Sequence, residues 1–231
     1  QWLTLTGAVL GVVAALKASI NAAAESQTVN AQLDSIIRAQ GSAAKVTGDE
    51  IRAMATEIQR TTQFGDEAVI SLNQTLLTMG QFSGDTLKKA TQAIMDMSSA
   101  LGRDLQSSAF MVGRALADPI SGMTMLRRAG VIFTQDQRDV IKALVDTGHA
   151  AEAQIVILDE LNKRFSGSAA AQMDTYAGQV ENLKDAFGEL GEAIGGKLIP
   201  PLTEAAKAAE LLLSWEGNIT AAVNQQAVVI R

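Results

Sequence analysis

The chain has 231 residues, enough for one large domain or two small ones. Hydrophobic residues make up 47% but aromatics only 4%, and there is no cysteine, which excludes a disulfide framework and thiolate zinc sites. The net charge is −6, and the 19 basic residues are scattered, so no patch is available to grip phosphates and no sequence-specific nucleic-acid binding is expected.

A core of Ala, Leu, Ile and Met, without period-two β-branched runs and with three prolines, suits close helix packing. The fold class is therefore all-α. The expected architecture is multiple short-to-medium helices separated by glycine breaks, as a helical bundle or an open helical array, with no sheet. The chain begins at Gln1 and stops at Arg231 without an obvious cap, and it is expected to be a fragment of a longer protein.

Residues 3–16, LTLTGAVLGVVAAL, are the most apolar run. They fall short of the ~20 residues a membrane-spanning helix requires. Gly7, Gly11, Ala15 and Ser19 place a small residue at every fourth position. Such a ridge lets helix backbones approach closely, in lipid or in a protein bundle. Two readings stand: a helix packed in an assembly, and a membrane-active helix held out of lipid until needed.

Residues 26–39 continue helical, with Val29, Leu33, Ile36 and Ile37 on one stripe, and end near Gly41. Thr47 and Glu50 have capping-box spacing and open a helix bearing Ile51, Met54 and Ile58. Phe64-Gly65 breaks it. Asp66-Glu67 starts the next, with Val69, Ile70, Leu72, Leu76 and Leu77, ended by Gly80. Gly84-Asp85 opens a helix with Leu87, Ile94, Met97 and Leu101 on its buried face, ended by Gly102.

Residues 110–165 read as four helical pieces. The first, 109–117, stops at Asp118-Pro119, because proline disfavours the α conformation in the residue before it. A short turn of helix over 123–128 ends at Gly130. Thr134 caps a third piece with Gln137 three residues on, carrying Val140, Ile141, Leu144 and Val145 to Gly148. The fourth carries Ile155, Leu158, Leu161 and Phe165 as a buried stripe. Helices this tightly punctuated must fold back on one another.

Beyond the loop at 166–168, Val180, Leu183, Phe187, Leu190 and Ile194 are spaced 3, 4, 3 and 4, an a/d seam two heptads long. Gly188, Gly191 and Gly195 lie one place further along. Gly195-Gly196 and Pro200-Pro201 form a hinge, and an amphipathic helix with Leu211, Leu212 and Leu213 follows. The expected divisions are 1–45, an apolar leading helix plus a second helix; 46–166, the core; 167–199, the glycine-rich heptad-like helix; and 200–231, the segment after the hinge.

No constellation for catalysis or cofactor binding emerges, so no enzyme activity and no cofactor or metal site are expected. His149 is the only histidine and reads as an exposed helix-boundary residue. Asp49/Glu50 and Asp66/Glu67 read as first-turn caps, and Asp159/Glu160 as a solvated face. Neighbours on a helix point about 100° apart, so none is a carboxylate pair facing one substrate. Arg127-Arg128 complements the helix macrodipole or forms a salt bridge to a neighbouring chain. The seam residues and the ridge of Gly7, Gly11, Ala15 and Ser19 are the candidate self-association surfaces. The eight methionines read as core fillers.

The words Arg114-Ala-Leu-Ala-Asp-Pro119, Gly122, Leu126-Arg-Arg-Ala-Gly-Val-Ile-Phe-Thr134, then Ala153-Gln154, Ile157-Leu158 and Phe165 follow one another in order. With Phe64-Gly65 upstream and Thr175-Tyr-Ala-Gly178 downstream, residues 51–198 resemble the core region of phage tail tape-measure proteins. The resemblance implies a structural protein that fills the tail-tube lumen or tip, sets tail length and is released at DNA ejection. It further implies several copies per tail, a homotrimer being expected. The implied partners are tail-tube protein, tail-tip or hub proteins and tail assembly chaperones, and the implied place is the virion tail, after assembly in the host cytoplasm. The alternative function is a membrane-active protein forming a channel in the host inner membrane.

Overall fold

The computed structural model describes residues 2–41, 45–80, 82, 84–173, 175, 180, 183, 185–194 and 196–197, and for 2–19 the backbone alone. The described residues hold no strand and, besides a helical run at 185–194, nine α-helices, so the protein is all-α. They are α1(Trp2–Gln40), α2(Gly48–Gln59), α3(Asp66–Met79), α4(Gly84–Leu101), α5(Leu105–Ala117), α6(Pro119–Arg128), α7(Gln135–Asp146), α8(Ala150–Phe165) and α9(Ser168–Met173). The chain divides into two compact units, one of Gln1–Glu25 with Phe187–Arg231, the other of Ser26–Ala186.

Local chemistry accounts for the helix ends. Thr47 and Glu50 form the expected capping box at α2, and Thr134 and Gln137 form the one at α7. Asp104 caps α5, accepting the Ser107 N–H at 2.8 Å, so α5 begins four residues before the expected 109. Asp118 accepts the Ser121 N–H at 3.2 Å, with Pro119 at the first helical position. That α6 therefore starts at Pro119, not Met123, follows from proline's preset φ and missing N–H. The leading and second helical segments are one element, α1, because residues 12–40 hold neither glycine nor proline.

In the unit Ser26–Ala186, α4 is central. It packs against α3, α5, α8 and α9, and its buried residues run almost round the helix, from Leu87 through Ile94, Met95 and Met97. α2 lies on α3, α5 lies between α3 and α6, and α7 and α8 close the far side. The C-terminal part of α1 joins the same core through Leu33, with Val29, Ile36 and Ile37 partly buried. Gln74 Nε2 donates to the Val29 carbonyl at 2.7 Å, and Arg52 donates to Asn30 Oδ1 at 2.7 Å and pairs with Asp34. These bonds tie α1 to α3 and α2.

Most of the expected stripes are buried, including all of Val69, Ile70, Leu72, Leu76 and Leu77. Val29, Ile36, Ile37, Met54, Leu144, Val145 and Phe165 are partly buried, and three residues face outward. Leu101, Val140 and Ile155 are exposed, and the buried stripe of α8 is instead Ala153, Ile157, Leu158 and Leu161. A helical face read from sequence is set only to within one step of about 100°, and contact with α4 and α7 decides which residues point inward.

Candidate interaction surfaces

Several of the family-like words now have a physical meaning. α5 and α6 cross at Ala115 and Gly122: a Cβ built on Gly122 would sit 2.2 Å from Ala115 Cα and 2.8 Å from its carbonyl oxygen. No residue larger than glycine fits there. At the end of α6 the Val131 N–H donates to the Leu126 carbonyl and the Gly130 N–H to that of Arg127, both at 3.0 Å. This is a Schellman ending, which places Gly130 at φ +90°. The extended link that follows alternates: Val131 and Phe133 are buried, Ile132 between them is exposed, and Thr134 caps α7.

Two arginines hold that link by its carbonyls. Arg138 Nη1 donates to the Phe133 carbonyl at 2.6 Å, and Arg164 Nη2 to that of Ile132 at 2.7 Å. Arg164 also pairs with Glu160 at 2.7 Å, and the other Glu160 oxygen accepts from Gln137 Nε2 at 2.8 Å. Burial by itself raises the Glu160 carboxyl. The hydrogen bonds from Gln137 and Arg164 outweigh that and leave it below the ordinary carboxylate value. Glu160 is thus no part of a solvated face. It is 5% exposed and joins α8 to α7, while its neighbour Asp159 is exposed. Nothing local marked this pairing, because Gln137 and Glu160 are 23 residues apart.

A second buried carboxylate pins the shortest helix. Asp96, 1% exposed on α4, accepts the Ala169 N–H at 2.9 Å and lies 3.2 Å from Gln92 Nε2. Gln172 Nε2 donates to the Ser99 carbonyl at 2.8 Å and meets Gln63. α9 is therefore clasped to α4 mainly by polar bonds.

On the outer side of α6 lies an open groove of about 330 Å³ lined by Ile120, Met123, Thr124, Arg127, Phe133 and Arg138. Met123 and Phe133 form a buried floor, and Ile120 is an exposed rim. Arg127 and Arg128 are both exposed at the end of α6, and neither meets a carboxylate among the described residues.

The other residues singled out by sequence are placed as follows. Gly7, Gly11, Ala15 and Ser19 lie on the α1 backbone, and their packing lies outside what is described. Val180 and Leu183 are exposed in one unit, and Phe187, Leu190 and Ile194 are exposed in the other. His149 is exposed at the start of α8, its Nδ1 3.0 Å from the Thr147 hydroxyl. Asp49 and Glu50 stand in the first turn of α2, and Asp66 and Glu67 in that of α3. Among the described residues no helix is long and apolar enough to cross a membrane, and no group of three or more potential metal ligands comes together.

The molecule is thus a helical protein whose distinctive features are close helix crossings and exposed apolar faces. Residues 2–142 match the family of prophage tail length tape measure proteins, over more than half of the chain, and the chain belongs to that family. It is a structural component of a phage tail. The words from Arg114 to Thr134 fall inside the matched range, and those from Ala153 onward lie beyond it. Neither a curated protein nor a solved structure matches the chain.

Proposed function

We propose that this chain lies in the lumen of the tail tube or at its tip, that its parent protein sets tail length during assembly, and that it leaves with the DNA at ejection. The family match over residues 2–142 carries this reading. The physical support is that an α-helix rises about 1.5 Å per residue, so helical sequence converts chain length into distance. Here α2 to α8 have 10 to 18 residues each and turn back on one another. The segment serves as a folded block beside a helical rod rather than as the rod, with residues 46–166 as its tape-measure core. A net charge of −6 suits a passage that DNA clears without sticking.

The partners under this proposal are further copies of the chain, three in the assembly, with tail-tube protein, tip or hub proteins and, in the host cytoplasm, tail assembly chaperones. Exposed Phe187, Leu190 and Ile194 call for apolar cover, which another copy supplies. Duplicating or deleting helical stretches elsewhere in the parent gene is expected to lengthen or shorten tails in proportion, read by electron microscopy. Tails of unchanged length would overturn the proposal.

The apolar run 3–16 with its small-residue ridge favours a second reading, a membrane-active helix that opens a channel in the host inner membrane. Dye release from anionic lipid vesicles is then expected for the chain and is lost in the Gly7→Leu, Gly11→Leu double variant. Vesicles that stay tight with both forms remove this reading.

A further inference from the structure

We infer that residues 26–40 of α1 are a strap latched across α2 and α3 by the Arg52 guanidinium, and that the strap lifts as a unit while the helices beneath it stay folded. Lifting exposes Leu33 and the apolar surface it packs on, without unfolding the bundle.

The strap buries little. Of residues 26–40 only Ser26 and Leu33 are buried, whereas α3 buries seven of its fourteen residues and α4 eleven of its eighteen. Segments with few buried apolar groups open locally at lower cost than the whole domain unfolds. Side-chain bonds supply the rest of the hold. All three guanidinium nitrogens of Arg52 are engaged: Nε donates to Asn30 Oδ1 at 2.7 Å, Nη2 to Asp34, and Nη1 to Asp49 Oδ1 at 2.9 Å. Asn30 and Asp34 belong to α1 and Asp49 to α2, so one planar fork bridges the two helices. Gln74 Nε2 on α3 donates to the Val29 carbonyl at 2.7 Å, and Gln40 Nε2 donates to that of Leu77.

The surroundings suit a latch that can release. Gly48, at the start of α2, leaves room for the fork, since a Cβ there would lie 2.9 Å from Arg52 Nη1 and 3.1 Å from Asp34 Oδ1. The side chains of Arg52 and Asp34 are 31% and 45% exposed, so water and salt reach the pair and it parts more readily than a buried one. Gly41 follows the strap at φ +54° with open space around it, which lets the chain turn there without displacing a neighbour.

Hydrogen exchange of the full chain, read by mass spectrometry, tests the device. Once lifted, a helical stretch this short is marginal in water, and its amides exchange. In the parent, residues 26–40 are expected to exchange together, well ahead of the middle of α3 and α4. Arg52→Met removes the fork and keeps an apolar stem. It is expected to speed exchange at 26–40 by about fivefold, with α3 and α4 at parent rates. Gly48→Ala keeps every latch residue and favours α2 by helix propensity, so α2 should exchange no faster. Its methyl crowds the fork, however, and the strap is expected to exchange faster than in the parent.

Unchanged exchange at 26–40 in either variant would mean that Arg52 is no latch. Acceleration spread evenly over α1, α3 and α4 in Arg52→Met would make α1 an integral part of the core. Either result overturns the inference.

Discussion

Replacing Gly122 by alanine is expected to lower stability by about 2 kcal/mol or more, although alanine is the better helix former by about 1 kcal/mol. The new methyl would lie 2.2 Å from Ala115 Cα and 2.6 Å from Ala115 Cβ. The α5 backbone cannot move aside as a flexible side chain can, so the two helices must separate and loosen the packing around Leu116 and Leu126. Gly113→Ala is the control. Its methyl would come 2.7 Å from Met79 Sδ, the flexible end of a side chain, so its net effect is expected to stay within about 1 kcal/mol of zero. Urea unfolding of both variants with an unchanged slope checks the pair. A Gly122→Ala protein as stable as the parent would mean that α5 and α6 do not cross at this point.

Asp96→Ala should cost about 2–3 kcal/mol, because the substitution strands the buried Ala169 amide and removes a charge-assisted hydrogen bond. Asp96→Asn keeps an acceptor oxygen and is expected to recover more than half of the loss. The damage should be local. α9 has six residues, and of these only Ala169 is buried. Hydrogen exchange at Ala169 and Gln172 is then expected to accelerate well before exchange in the middle of α4. Uniform acceleration across α4 and α9 would show instead that α9 is integral to the core.

The same contrast separates what was legible in the sequence from what was not. Most helix ends were readable because they are set within four residues, whereas α5 and α6 begin at Leu105 and Pro119, each four residues before the expected start. Thr47 with Glu50, Thr134 with Gln137, Asp118 with Pro119 and the glycines at 41, 102, 130 and 148 each act on their own backbone. The stripe of α3 was readable because Leu72, Leu76 and their neighbours have one apolar side to offer. On α8, apolar residues at 155, 156, 157 and 158 left the inward direction open, and packing against α4 and α7 chose Ile157 and Leu158 over Ile155.

The interaction surfaces followed the same division. The seam at Val180, Leu183, Phe187, Leu190 and Ile194 and the Arg127-Arg128 doublet stand out as local patterns. The groove does not, because its wall comes from α6, the link after Gly130 and the start of α7 together. Glu160 was misread for the same reason: its partners are Arg164 on its own helix and Gln137 on another.

The sequence by itself determined an all-α chain, its breaks and caps, and its kinship with tail tape-measure proteins, because helix propensity, capping and short sequence words act over a few residues. Only the tertiary structure decided that Gly122 marks a helix crossing, that Asp96 and Glu160 are buried clasps, and that Arg127 and Arg138 share one groove. Those roles depend on which helices meet, and contacts between distant residues leave no periodic trace along the chain.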